Sequence, residues 1–201
     1  TFNYLEVDKI FRSKKIKLEN FINPKKLETK KIKNKYPKLV KNYITMTLRD
    51  YGWSPGRNTT QRDIDKVYEF SKSIGYELIL IPDSLDKIKN YNKYEMKVCT
   101  SARINISERV YLYANSYLNI NPMGGPSHLS IFIKGAKTII LNWGADSFDG
   151  DVSFIKKHYN INFGEQPYLN LDTFLMWKDI YKDYTSDDIV DVLNIINKNR
   201  N

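Results

Sequence analysis

Asn119-Ile120-Asn121-Pro122-Met123-Gly124-Gly125-Pro126-Ser127-His128-Leu129 is the stretch around which the chain is organised. The apolar residues Tyr117 to Ile120 read as a short buried strand. A Gly-Gly turn follows, then Pro126, then an apolar stretch reaching Lys134. Proline suits the start of a helix, where a missing N–H is no loss. Glycines ahead of a helix allow close backbone approach to a ligand, and a helix N-terminus offers N–H donors and partial positive charge. Strand, glycine turn and helix start together form an architecture that holds phosphate in α/β folds. The turn lacks the Gly-Lys-Ser/Thr of a Walker A loop and the G-x-G-x-x-G of a dinucleotide fingerprint. Read alone, it serves equally as a simple chain reversal.

The flanking sequence favours the first reading. Tyr43 to Arg49 is rich in β-branched and large apolar residues and predicts a strand. A helix is expected from Thr60 to about Ile74, with Ile64, Val67, Tyr68 and Ile74 on one face. Thr60 with Asp63 has capping-box spacing, and Gly75 stops the helix. Tyr76 to Ile81 is a second, nearly continuous apolar strand. Such a strand–helix–strand unit belongs to a parallel sheet. Ser84–Asn90 reads as a short helix, and Tyr94–Cys99 as strand or loop. A helix capped by Ser107 follows, with Ile106, Val110, Tyr113, Ala114 and Tyr117 on its apolar face. Beyond the glycine turn come a strand at Lys137–Asn142, a short helix at Val152–Tyr159, a last strand at Phe174–Trp177 and a closing helix from Thr185. The order predicts an α/β fold with an open, doubly wound, mostly parallel sheet of Rossmann-like type. Ligands of such sheets lie beyond the carboxyl ends of the strands, where Arg49, Asp83, the 121–127 turn and Asn142–Gly144 fall.

Composition narrows the partners. The net charge is +9, but residues 1–42 hold 13 basic and 4 acidic residues, and the rest holds 19 of each. Residues 1–42 therefore read as a basic lead-in or linker before a domain spanning 43–201. The lead-in is either a solvated segment or a contact for an anionic membrane surface or a second domain. Nucleic acid is excluded as the expected partner, since neither an RNP-like aromatic motif nor a basic recognition helix is present. One cysteine, Cys99, and two distant histidines, His128 and His158, offer no disulfide and no zinc motif. No run of about 18 apolar residues occurs, so a cytoplasmic protein, with or without peripheral membrane contact, is expected.

Four pieces of sequence resemble the C-terminal, nucleotide-sugar-binding half of GT-B fold glycosyltransferases, in the heptosyltransferase-like style of bacterial capsule and lipopolysaccharide enzymes. They are Ile44–Arg49 with Pro55-Gly56-Arg57-Asn58, then Gly75–Asp83, then Tyr111–Pro122 running into Gly124-Gly125-Pro126-Ser127-His128-Leu129, and finally Trp177-Lys178 with Asp183-Tyr184-Thr185-Ser186. The resemblance spans about residues 43–198. It implies a glycosyltransferase that takes a nucleotide-activated donor and transfers its sugar to a glycan or lipid-linked acceptor in surface polysaccharide synthesis. The length accommodates one such half, so the catalytic residues stay unassigned. The E-x-x-x-x-x-x-E motif of many retaining families is absent. A D-x-D motif is also absent, and neither metal nor cofactor is implied.

Each candidate carries a second reading. Gly124, Gly125 and Ser127 would meet a donor diphosphate through N–H groups and a hydroxyl, or simply form a capped turn. His128 would donate to phosphate, or pack in the first turn of its helix. Arg57 and Asn58 would contact phosphate or sit in a solvated loop. Arg49 has the same choice, or pairs with Asp50 or Asp83. Asp83 would hold a sugar hydroxyl or cap a turn. Glu165, through the resemblance, would approach the nucleotide ribose. The rival readings are a non-catalytic Rossmann-like module working through residues 1–42 and a nucleotide-sugar epimerase-like enzyme.

Overall fold

The computed structural model describes residues 22–27, 30–35, 42–52, 55, 58–83, 97–122, 124–133, 136–143 and 173–177. Among the described residues are six strands: β1 Tyr43–Leu48, β2 Glu77–Pro82, β3 Lys97–Val98, β4 Leu118–Pro122, β5 Thr138–Trp143 and β6 Thr173–Trp177. The helices are α1 Pro24–Leu27, α2 Lys30–Lys35, α3 Gln61–Ser73, α4 Ile106–Asn115 and α5 Gly125–Ile131, with a 3-10 turn at Ser101–Arg103. The strands form one sheet in the order β3-β2-β1-β4-β5-β6, and every neighbouring pair is parallel. The α/β, doubly wound, Rossmann-like reading is therefore what the chain adopts.

Alternation along the strands divides the core. Ile44, Met46 and Leu48 of β1, Leu78 and Leu80 of β2, Leu118 and Ile120 of β4, and Ile139 and Leu141 of β5 face Ile64, Val67 and Phe70 of α3. On the other face Tyr43, Ile79 and Ile81 pack with Val110, Leu112 and Tyr113 of α4 and with Ile133. Burying each such apolar side chain stabilises the fold by roughly 1.5–3 kcal/mol relative to exposure.

Local signals explain most boundaries. The α3 capping box forms: Thr60 Oγ1 accepts from Asp63 N at 3.2 Å, and Thr60 N donates to Asp63 Oδ2 at 2.9 Å. Gly75, at φ +74°, lets the chain leave the helix. The start of α4 differs from expectation. Asn105, not Ser107, is its N-cap: its backbone is extended and its side chain accepts from Glu108 N at 3.1 Å. Asparagine is among the strongest N-cap residues, which places Ser107 inside the helix. Ile106 is consequently 56% exposed instead of in the core. Tyr117 lies past the helix end, its ring 4.8 Å from that of Tyr76.

α5 begins one residue ahead of Pro126 and stops at Ile131, short of Lys134. It stops because Ile133 forms a parallel bridge with Ile22, and Phe132 O accepts from Ile22 N at 3.0 Å. Part of the basic lead-in is thus docked. Ile32 is buried in the core beside Ile133, and Lys35 Nζ meets Glu108 Oε1 at 2.7 Å and Ser101 Oγ at 2.6 Å. Of the expected strand or loop at Tyr94–Cys99, Lys97–Val98 pair with β2 as β3, and residues 94–96 lie outside the described residues. The expected helices at 84–90, 152–159 and from Thr185 lie outside the described residues.

Candidate functional site

The sheet reverses its direction of growth between β1 and β4. From β1 it extends through β2 to β3, and from β4 through β5 to β6. The helix after β1 packs on one face and the elements after β4 line the other, which opens a crevice between the two carboxyl ends. The residues leaving these two strands are Arg49 and the glycine turn.

They touch. A Cβ placed on Gly124 would lie 3.5 Å from Arg49 Nη1, so the guanidinium rests directly beside the turn. Arg49 is 6% exposed, and its guanidinium carbon stands 4.7 Å over the ring of Tyr51. The Arg49 backbone is fixed by Thr59, whose Oγ1 accepts from Arg49 N at 3.1 Å and whose N–H donates to Arg49 O at 2.9 Å.

The turn is bonded internally. Gly124 has φ +156°, a backbone that side-chain-bearing residues rarely adopt, and the contacts awaiting a Cβ there are ordinary in length. Conformation, more than space, requires glycine at this position. A Cβ at Gly125 would meet nothing within 4 Å. Ser127 Oγ donates to Gly124 O at 2.7 Å and accepts from Gly124 N at 3.1 Å. The serine is fully buried, so its hydroxyl shapes the turn. Gly124 O also receives His128 Nδ1 at 2.7 Å. A carbonyl only accepts, so Nδ1 carries the proton. Burial lowers the His128 pKa below the usual histidine value, and the Gly124 bond opposes that shift only in part. The imidazole is neutral at pH 7, with its charge change moved away from neutrality.

Behind the turn runs a buried polar relay. Thr47 Oγ1 and the Tyr113 hydroxyl are 2.6 Å apart, and that hydroxyl donates to Asn121 Oδ1 at 3.1 Å. Asn121 Nδ2 donates to Ser130 Oγ at 3.0 Å, and Ser130 Oγ donates to Ser127 O at 2.8 Å. Burial first, against the pull of Arg109 and Thr47, pushes the Tyr113 phenol up to about 12, which keeps it a proton donor. The relay ties β1, α4, β4 and α5 into one frame under the turn.

On the β2 side, Asp83 follows the strand and its N–H donates to Leu48 O at 2.8 Å. Asp83 Oδ1 faces Arg109 Nη1 at 3.3 Å, and the Tyr51 hydroxyl lies 3.3 Å from Asp83 O and 3.5 Å from its Oδ2. Arg109 Nε donates to Ala102 O at 2.8 Å. Asn58 does not point toward this rim. Its Oδ1 accepts from Tyr51 N at 2.9 Å and its Nδ2 donates to Tyr51 O at 3.1 Å, so it clamps the loop that carries Tyr51. Arg49, Asp83, Gly124, Gly125, Ser127 and His128 thus gather along the carboxyl ends of β1, β2 and β4. Arg57 and Glu165 lie outside the described residues.

Sequence reasoning missed Tyr51 and Arg109. Neither residue was singled out among the candidates. One signal was available: Thr45, Thr47 and Arg49, with Asn119 and Asn121, put polar residues at every second position of two central strands. Among the described residues no group of three His, Cys, Asp or Glu side chains could hold a metal ion. No described helix is long and apolar enough to cross a membrane.

The class defined by the sheet is a Rossmann-like α/β fold with its switch point between β1 and β4. Among solved structures, the chain is similar to the ADP-heptose LPS heptosyltransferase II of E. coli, with a TM-score of 0.53 and 10% sequence identity. The match covers 83% of this chain and 50% of that one, so the chain spans half the length of that structure. At this identity the likeness is one of fold. No family model matches the sequence, and no curated protein matches it.

Proposed function

We propose that this chain is the donor-binding part of a GT-B-type glycosyltransferase, holding a nucleotide-activated sugar for transfer to a glycan or lipid-linked acceptor in surface polysaccharide synthesis. The observation that carries the reading is the contact of the Arg49 guanidinium with the Gly124 turn at the switch of the sheet. A planar, permanently charged group beside a glycine turn suits a diphosphate, whose oxygens take paired N–H donors. In the transfer the bond from the anomeric carbon to the diphosphate oxygen breaks, and the acceptor oxygen takes its place. The negative charge gathering on the departing nucleoside diphosphate is what Arg49 and the turn would stabilise. Arg57 would help to offset that charge, Glu165 would approach the ribose, and Asn58 would act by positioning Tyr51. The fold shared with a heptosyltransferase supports the same reading. Cytoplasmic residence belongs to the proposal, because that is where nucleotide sugars are made.

The test is a thermal-shift screen with ADP, UDP, GDP, CMP and their sugars. A ligand held at 100 times its Kd stabilises the native state by about 2.7 kcal/mol, a clear rise in melting temperature. One nucleotide is expected to give that rise. Arg49→Lys should shrink it, because an ammonium lacks the guanidinium fork. Gly125→Val should remove it while leaving the unliganded melting temperature nearly unchanged, since a side chain there meets open space. No shift with any nucleotide, or equal shifts in both variants, defeats the reading.

A further inference from the structure

The donor site needs the Arg49 guanidinium beside the glycine turn, and something must keep it there. Thr59 holds the Arg49 backbone at both N and O. The guanidinium lies several bonds further out, and a side chain of that length stays put only when its end is also held. At that end stands Tyr51, with its ring centroid 4.7 Å from the guanidinium carbon. The ring is itself pinned at both ends. Asn58 Oδ1 accepts from Tyr51 N at 2.9 Å, and Asn58 Nδ2 donates to Tyr51 O at 3.1 Å. At the far end the hydroxyl meets Asp83, 3.3 Å from its O and 3.5 Å from its Oδ2. Asp83 is anchored in turn: its N–H donates to Leu48 O at 2.8 Å, and its Oδ1 faces Arg109 Nη1 at 3.3 Å. A half-buried loop tyrosine is thus tied to the loop before α3, to the end of β2 and, through Arg109, to α4.

The kind of contact matters as much as its place. A cation held on the face of a ring spends no N–H donor on that contact, whereas a carboxylate partner takes two in a bidentate fork. The ring therefore fixes Arg49 without competing with a phosphate for the same N–H groups. Burial first, then the Asp83 carboxylate, raises the Tyr51 pKa, so the hydroxyl keeps its proton and the ring stays neutral. We infer that Tyr51 is a positioning residue of the donor site: its pinned ring holds the Arg49 guanidinium beside the Gly124 turn, in place to meet a diphosphate. The inference rests on the donor-site reading and names what aims its cation.

The test varies the electrostatics of the ring face at nearly constant shape. In the full chain Tyr51 is replaced by phenylalanine and by phenylalanines of increasing ring fluorination, which drain the negative face that attracts a cation. Isothermal titration with ADP, UDP, GDP and CDP reads the outcome. Tyr51→Phe should bind the favoured diphosphate within about threefold of the parent, because the ring face remains. Affinity should then fall stepwise along the fluorinated series, by about tenfold in all, the scale of a desolvated cation–π contact. A ring that only packs gives a flat series, and a flat series overturns the inference while leaving the donor site standing. In Arg49→Gln the slope should vanish; a slope that survives there means that the ring acts on the ligand itself, and the inference falls. If the parent binds none of the probes, the donor-site reading fails and takes the inference with it. Should Tyr51→Phe not fold, Tyr51→Trp and Tyr51→Leu decide. The first keeps an aromatic face and should bind more tightly than the second; equal affinities overturn the inference.

Discussion

The two faces of the central strands are built from neighbouring residues to opposite rules. Toward α3, β1 presents Ile44, Met46 and Leu48, and β4 presents Leu118 and Ile120. Toward α4 and α5 the same strands present Thr45, Thr47 and Arg49, and Asn119 and Asn121, all at most 6% exposed. One face is held by area removed from water and is indifferent to direction. The other is held by directed bonds: Thr45 Oγ1 donates to Asn119 Oδ1 at 2.6 Å, and Asn119 Nδ2 reaches Tyr113 O and Lys137 O, each at 3.1 Å. Buried polar groups cost stability unless bonded, so the second face gains less per residue and specifies geometry more tightly. Its polar stripe leads to the rim where Arg49 and Gly124 meet. The difference teaches that, within the two central strands, apolar packing and the polar frame of the candidate site are weighted to opposite faces.

Substitutions can break that division. Leu80→Ala, on the apolar face and fully buried, should cost about 2–5 kcal/mol by denaturant unfolding and leave nucleotide preference unchanged. A changed preference would mean that the faces are not independent. Tyr113→Phe, on the polar face, leaves Thr47 Oγ1 and Asn121 Oδ1 without that hydroxyl and should cost about 1–3 kcal/mol. It should also loosen the frame under the turn, so ligand affinity falls with stability. A Tyr113→Phe protein that unfolds earlier yet binds normally would reduce the relay to a packing device.

The smallest effect expected is the pH response of His128. Its pKa is lowered in the folded state, so below the ordinary histidine range the unfolded chain binds the proton more readily. Stability is complete above that range and declines as the pH falls through it, until the buried ring is itself protonated. The difference in unfolding midpoint between pH 7.5 and pH 5 should be smaller in His128→Gln than in the parent. Equal differences would assign the acid sensitivity to other groups.

The fold was legible because its determinants are local. The Thr60–Asp63 cap, the Gly75 stop and the apolar runs of β1, β2, β4 and β5 each act within a few residues, and each formed where expected. The site was half legible for the converse reason. Strand ends are visible in sequence, so Arg49, Asp83 and the 124–128 turn were marked as lying on one edge. Which strands adjoin is not visible. Arg49 and Gly124 stand 75 positions apart and meet only because β1 and β4 pair. Arg109 reaches Asp83 because α4 packs on the face of the sheet that carries Ile79 and Ile81 of β2, an arrangement that no spacing encodes. The capping error at Ser107 has a smaller cause. Asn105 and Ser107 are both residue types that cap helices, and the bond from Glu108 N to the Asn105 side chain starts the helix two residues earlier.

The strand order carries one more consequence, for the way the chain is made. β1, one of the two central strands, precedes the other described strands in synthesis, and β4, its second neighbour, is complete only at residue 122. Until then β1, α3 and β2 can assemble, but the β4-facing edge of β1 keeps its backbone groups unpaired. Such an edge recruits strands from other chains. A nascent chain stalled before residue 118 is therefore expected to be sticky, and one released after residue 143, with β5 added beyond β4, far less so. A strand at the centre of the finished sheet is thus, during translation, an exposed edge.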